Sequence, residues 1–452
     1  MTVSSLPFAL FVIAVLPVYY CLGRRAQNWW LLLCSYVFYG LVGRQLPVVL
    51  LVVTLGNYLL ARSIRTAGPT ARWWFSGAVA ADVLTLVLLR HTGVVGTGQL
   101  IGVSFYTMQA ISYLADVRSG RLAGPIDPVD FALYLAYFPR LIAGPIERAG
   151  EFLPRLAAPR IVDNAAIAEG VTLIVVGVVR TFVLAEPLAA LVPSGMLVAP
   201  SRFPPGVLVA GITAGTFWLY NGFAGYTSIV RGVSALFGIP LSPNFIQPFF
   251  SRSFSELWSR WHVSLTRWLR DYIYLPLTRA LLRRDLRRWN VAAIALPPFA
   301  ALMASGFWHG GGAGMLLWGA LHGMFLTCER IWSLWRPSAR TVRRAAWRQI
   351  LAILAVFALD TLALVPFLAG PGIALEFWGA LFRREGWGFP DTRLLVLVAG
   401  TFALDVAQYA GAEDTAFLRW PRPVQAALLA GSLVAMFVMS ETVRAPFIYQ
   451  GF

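Results

Sequence analysis

Apolar runs recur from one end of this chain to the other. They occupy residues 5–22, 29–43, 46–60, 74–90, 98–115, 168–193, 206–237, 291–307, 313–334, 349–369, 393–410 and 424–440. A helix rises 1.5 Å per residue, so about 20 apolar residues cross the ~30 Å hydrocarbon core of a bilayer. The pattern predicts an all-α polytopic membrane protein with ten to twelve transmembrane helices, some of them short or re-entrant. No polar linker divides it, so residues 1–452 are expected to form a single integral-membrane domain. The proline-rich patch 193–205 reads as a short inter-helix loop.

Two segments break the pattern. Residues 251–276 (SRSFSELWSRWHVSLTRWLRDYIYLP) carry too many charges for a lipid-facing span, yet their apolar positions keep helical spacing. One helix is expected, capped by Ser253 or Ser255 and ended by Pro276, with Glu256–Arg260 and Arg267–Asp271 as i,i+4 pairs. It either lies on the membrane surface or lines an internal cavity, and the Trp-His pair at its middle favours the cavity. Residues 137–155 (YFPRLIAGPIERAGEFLPR) place Pro139, Gly144 and Pro145 among Arg140, Glu147 and Arg148. Broken backbone at membrane depth survives only where protein or a water-filled cavity satisfies it. A re-entrant loop and an ordered cytoplasmic loop fit equally well.

Composition supports the membrane assignment: 58% of residues are hydrophobic and 13% charged, against about 25% charged in soluble domains. The net charge of +16 would suit nucleic acid in a soluble protein. Here it follows the loops, and no nucleic-acid partner is expected. Arg24, Arg25, Arg62, Arg65, Arg72, Arg118 and Arg121 follow odd-numbered spans, while only Arg44 and Arg90 fall in the alternate loops. The bias predicts a multi-pass inner (cytoplasmic) membrane protein of a bacterium with its N-terminus outside. A cleavable signal peptide is not expected. All 37 basic residues are arginine, which excludes Schiff-base chemistry on lysine. Cys21, Cys34 and Cys328 show neither metal spacing nor an evident disulfide partner. Cys328 is read as a buried small hydrophobe rather than a thioester nucleophile.

The chemistry concentrates in residues 305–325 (SGFWHGGGAGMLLWGALHGMF), which hold His309 and His322, two of only four histidines. An imidazole at membrane depth is a functional candidate by default. Packing against neighbouring carbonyls is the alternative, and for His322 it competes directly with a site role. His91 sits between Arg90 and Gly93 in an outer loop and carries no functional expectation.

Several stretches resemble the membrane-bound O-acyltransferases, in particular bacterial enzymes that O-acetylate alginate and peptidoglycan and their relative, the teichoic acid D-alanyltransferase. They are NWWLLLCSYVFYG (28–40), SFYTMQAISYLADVRSG (104–120), YFPRLIAGPIERAGEFLPRL (137–156), SFSELWSRWHVSLTRWLRDYIYLPL (253–277), SGFWHGGGAGMLLWGALHG (305–323) and APFIYQGF (445–452). The resemblance implies helices around a central tunnel, a thioester donor entering from the cytoplasm and an acceptor hydroxyl arriving from the other side. It implies that His309 of the WHG motif is catalytic and that His262, 47 residues earlier, supports it. Trp258, Trp261, Ser264, Arg267, Arg270, Asp271, Trp308 and His322 lie in the matching stretches, and with Asn221 of the divergent 221–229 stretch they are the implied substrate contacts. No permanent cofactor or metal is implied. The donor would be acetyl-CoA or an acyl carrier protein thioester. A positioned base takes the hydroxyl proton, and donors are needed for the oxyanion: protonated His262, tryptophan indoles or the amides of Gly310–Gly312. A double displacement through an acyl-histidine or acyl-serine stays open.

The chain also departs from the family pattern. Leu277 is followed by TRALLRRDLRRWN where Gly-Gly is usual, Asn221 replaces an aspartate, and FALDTLALVPF (357–367) stands where an aromatic-arginine motif is expected. Those changes bear on the acceptor. The expected acceptor is an envelope or exported glycan, with a separate extracytoplasmic serine-esterase-type transferase as partner if the acceptor is a polymer outside the cell. D-alanyl-type transfer from a carrier protein and a polytopic transporter or flippase are the alternatives.

Overall fold

The computed structural model describes residues 3–91, 102–122, 124, 126–160, 162–283, 290–335, 345–383, 391–411 and 414–439. The terminal stretch 445–452 and part of the 277–290 segment discussed above lie outside them. Among the described residues all regular structure is helical. The helices in chain order are α1 (Leu6–Tyr20), α2 (Arg24–Val42), α3 (Leu46–Thr66), α4 (Ala71–His91), α5 (Val103–Arg118), α6 (Pro128–Ala136), α7 (Ala149–Ala157), α8 (Asn164–Val178), α9 (Glu186–Ala190) and α10 (Pro205–Leu236). They continue with α11 (Phe254–Arg260), α12 (Val263–Leu269), α13 (Leu275–Leu282), α14 (Asn290–Trp308), α15 (Ala313–Trp335), α16 (Ala346–Ala369), α17 (Pro371–Ala380), α18 (Thr392–Gly411) and α19 (Arg422–Met439).

Among the described residues, six helical segments are long and apolar enough to cross a membrane: Leu46–Thr66, Gly68–Arg90, Asn164–Ala190, Pro205–Leu236, Ala346–Ala369 and Thr392–Gly411. Leu6–Tyr20 and Ala292–Trp308 are shorter apolar helices. The segment predicted over 98–115 is α5, whose residues are buried on nearly all sides, so it serves as a core helix.

The chain forms two compact units, one of residues 1–182, 223–243 and 411–452, the other of 183–222 and 244–410. In the first, the loop after α6 is ordered and buried. Parts of its backbone are satisfied from within: Phe138 N–H donates to Ser35 Oγ (3.0 Å) and Ala143 N–H to the Tyr226 hydroxyl (3.2 Å). Glu147 accepts from Ser242 N–H (2.6 Å) and pairs with Arg155 (3.3 Å). The Arg140 guanidinium stacks over Phe152 at 4.2 Å. Broken backbone with these partners is what an apolar surround permits.

In the second unit, α14 and α15 form a hairpin that carries His309 at its bend and His322 on its second arm. The arms touch backbone to backbone. A Cβ on Gly319 would stand 2.5 Å from the Leu302 carbonyl oxygen, and one on Gly306 would stand 2.4 Å from that of Met315. Small residues at such crossings are how helices associate closely where no water drives them together. The substitution Gly319→Val is expected to push the arms apart and lower both the yield and the apparent unfolding temperature of detergent-purified protein. Gly312→Ala, with nothing within 4 Å of the added Cβ, should leave both unchanged.

Candidate active site

The segment around His262 is two helices rather than one. Ser253 caps α11 as expected, accepting from Glu256 N–H (3.1 Å), and Glu256 pairs with Arg260 at 2.8 Å. At Trp261 the backbone turns extended, and His262 adopts a left-handed conformation (φ 41°, ψ 55°). A flanking strand of irregular chain replaces the missing helical bonds: Ile246 N–H donates to Arg260 O and Val263 N–H to Asn244 O, both at 2.9 Å. Pro276 does not end the segment. A π-turn over Arg270–Tyr274 precedes it, and α13 starts with Pro276 in its first turn, where the missing N–H matters least.

His262 is 1% exposed, and its Nδ1 accepts from Leu265 N–H at 3.3 Å. A ring accepting at Nδ1 carries its proton on Nε2. A doubly protonated ring has no acceptor, so the expected protonated His262 is replaced by a neutral Nε2–H donor. His309 follows the last residue of α14. The amides of Gly310 and Gly311 donate to Phe307 O (3.2 Å) and Gly306 O (3.3 Å), with Gly311 at φ +71°. This glycine-rich stretch therefore caps the helix, and those two amides are not free for an oxyanion.

Aromatic rings connect three histidines. Trp308 lies 6.3 Å from the His262 ring centroid and 4.7 Å from that of His309. Trp318 lies 5.3 Å from His309 and 5.0 Å from His322, and Trp258 lies 5.5 Å from His322. Phe367 of α16 completes the wall at 5.1 Å from His309. Glu329 of α15 accepts from the amides of Phe254 (2.7 Å) and Ser255 (3.2 Å), which joins the start of α11 to α15.

A cavity of about 410 Å³ adjoins this cluster, with Trp258, Thr266, Arg267, Arg270, Tyr274 and Arg330 in its wall. That volume falls in the range of small-molecule sites. Arg270 is also paired with Asp271 (2.8 Å). Ser264 is buried beside it on α12, with its amide 3.4 Å from Asn244 Oδ1. Two expected contacts face elsewhere. The Trp261 ring packs on Phe245 (5.0 Å) and Tyr220 (6.1 Å), and the Asn221 amide donates to Phe217 O (3.0 Å) and Thr401 Oγ1 (2.9 Å). Cys328 is exposed, correcting its expected burial: six residues past His322, it is turned about 120° away from that side chain.

One residue escaped the sequence reading. Asp360 of α16 stands 3.8 Å from His322 Nε2. The signal is an acid in the middle of an apolar span, FALDTLALVPF (357–367).

The family model described as MBOAT, membrane-bound O-acyltransferase family, matches residues 31–361. The chain belongs to that family. The membrane-bound O-acyltransferase is 31% identical over 417 residues to the "Probable alginate O-acetylase AlgI" of Pseudomonas fluorescens, covering 90% of this chain and 80% of that protein. It is 28% identical to the peptidoglycan O-acetyltransferase of Helicobacter pylori (72% and 70% covered). To the teichoic acid D-alanyltransferase of Bacillus subtilis it is 24% identical (72% and 84% covered). It is therefore an enzyme of O-acyl transfer in a multi-pass membrane setting, and the transporter reading is set aside.

The backbone at His262 gives a structural test of this acyltransferase. A left-handed β-branched residue is strained by about 1–2 kcal/mol, and the Leu265 amide would lose its acceptor. His262→Val is expected to lower the apparent unfolding temperature. His262→Asn should retain it, because asparagine tolerates this conformation and caps helices.

Proposed function

We propose that this enzyme moves an acetyl or other short acyl group from a cytoplasmic thioester to a hydroxyl of an envelope or exported glycan. The observation that carries the reading is the buried pair His262 and His309 joined through Trp308. In the proposed step His309 takes the proton of the acceptor hydroxyl as its oxygen attacks the thioester carbonyl carbon. The neutral His262 donates from Nε2–H toward the developing oxyanion, where a preorganised donor is worth about 2.7–4 kcal/mol. The carbon–sulfur bond then breaks, and the thiolate takes the proton back from His309. No residue is acylated, and a double displacement is not required.

Arg267, Arg270 and Arg330 in the cavity wall support a donor bearing phosphates, since guanidinium groups match phosphate geometry. Acetyl-CoA is the first choice, and likeness to alginate and peptidoglycan acetylating proteins favours acetyl over D-alanyl transfer from a carrier protein. With the N-terminus outside the cytoplasmic membrane, the acceptor approaches from the far side. A polymeric acceptor would call for a separate extracytoplasmic transferase. The whole chain, residues 1–452, is proposed to act as one acyltransferase domain.

The test is release of free CoA from acetyl-CoA by purified protein in nanodiscs, wild type beside His309→Ala, with folding checked by gel filtration. The variant is expected to lose roughly 10²–10⁴-fold in rate, the usual contribution of a positioned base. Equal release from both would remove His309 from the base role. Release from neither would mean that the donor is another thioester, a carrier-protein thioester first, or that a partner is obligatory.

A further inference from the structure

Outside the proposed proton transfer, the second unit holds a polar group that the reaction does not use. Trp258 is 5% exposed and His322 1% exposed. The Trp258 indole Nε1–H and both His322 ring nitrogens are buried without a hydrogen-bond partner. Their rings meet edge to face, 5.5 Å apart at 88°. Asp360 Oδ1 lies 3.8 Å from His322 Nε2. Orphaned polar atoms in an apolar surround carry a desolvation cost, which a ligand would relieve.

We infer that Trp258, His322 and Asp360 form a hydroxyl-binding subsite for a polyol acceptor such as a sugar ring. Asp360 is the positioning residue. Its carboxylate attracts the His322 proton to Nε2 and leaves Nδ1 as an acceptor. A hydroxyl can then donate to Nδ1, and the same or a neighbouring hydroxyl can accept from the Trp258 indole. Trp318 stands 5.8 Å from Trp258 and 5.0 Å from His322, so these polar atoms are set among aromatic rings. A few polar atoms among aromatic rings is the usual make-up of a small-molecule site. The inference rests on the glycan-acceptor reading, and it gives Asp360 a task in acceptor choice.

Two measurements test it without turnover. In protein labelled with ¹⁵N-histidine, His322 is expected to be neutral with its proton on Nε2, and Asp360→Leu should abolish that preference while Asp360→Glu restores it. An unchanged tautomer in Asp360→Leu would overturn the positioning role. The second is equilibrium binding, without donor, of methyl β-D-glucopyranoside and of cyclohexylmethanol, which keeps one primary hydroxyl and lacks the others. Trp258→Phe and Asp360→Leu should each weaken glucoside binding about 3- to 10-fold, the scale of one hydrogen bond, and leave cyclohexylmethanol unaffected. No glucoside binding by the wild type, or equal binding by the variants, would overturn the subsite. Failure of the base assignment shows in CoA release by His309→Ala, and failure of the subsite shows in glucoside binding by Trp258→Phe and Asp360→Leu.

Discussion

Two backbone hydrogen bonds hold the centre of this enzyme in place. Ile246 N–H to Arg260 O and Val263 N–H to Asn244 O give a broken helix the partners it would otherwise lack. Inside an apolar surround every such group must be satisfied by protein, so the break exists only because the 244–246 stretch lies alongside. The break in turn puts His262 into the left-handed region and turns its Nδ1 onto the Leu265 amide. From that one constraint follow the tautomer, the direction of the remaining N–H and the contact with Trp308.

A second layer of constraint comes from the α14–α15 hairpin. Its glycines do different things along its length. Those within the arms let the two backbones touch, and those at the bend terminate α14 so that His309 sits just past the last helical residue. Each of the three histidines packs against at least one tryptophan ring. Tryptophan rings lie between them, so the imidazoles are spaced by rigid planar groups with few rotatable bonds and stay in fixed relation.

Much of this was legible in the sequence. The apolar runs gave helices, the Ser253 cap and the Glu256–Arg260 pair were read correctly, and the three buried histidines were singled out by their placement. What escaped was set by tertiary partners. Periodicity runs straight through Trp261 and His262, because the side chains keep their spacing while the backbone changes region. Trp261 belongs to a stretch that matches the family and Asn221 to one that departs from it, yet their side chains pack against Phe245 and α18 respectively. Asp360 was visible as a lone acid but gained meaning only when α16 was seen beside α15.

The carboxylate of Glu329 ties the first amides of α11 to α15, and it lies seven residues, or two helical turns, from His322 on the same face. The same carboxylate therefore anchors the start of the cavity-lining α11 to the arm that bears His322, and its loss would free one from the other.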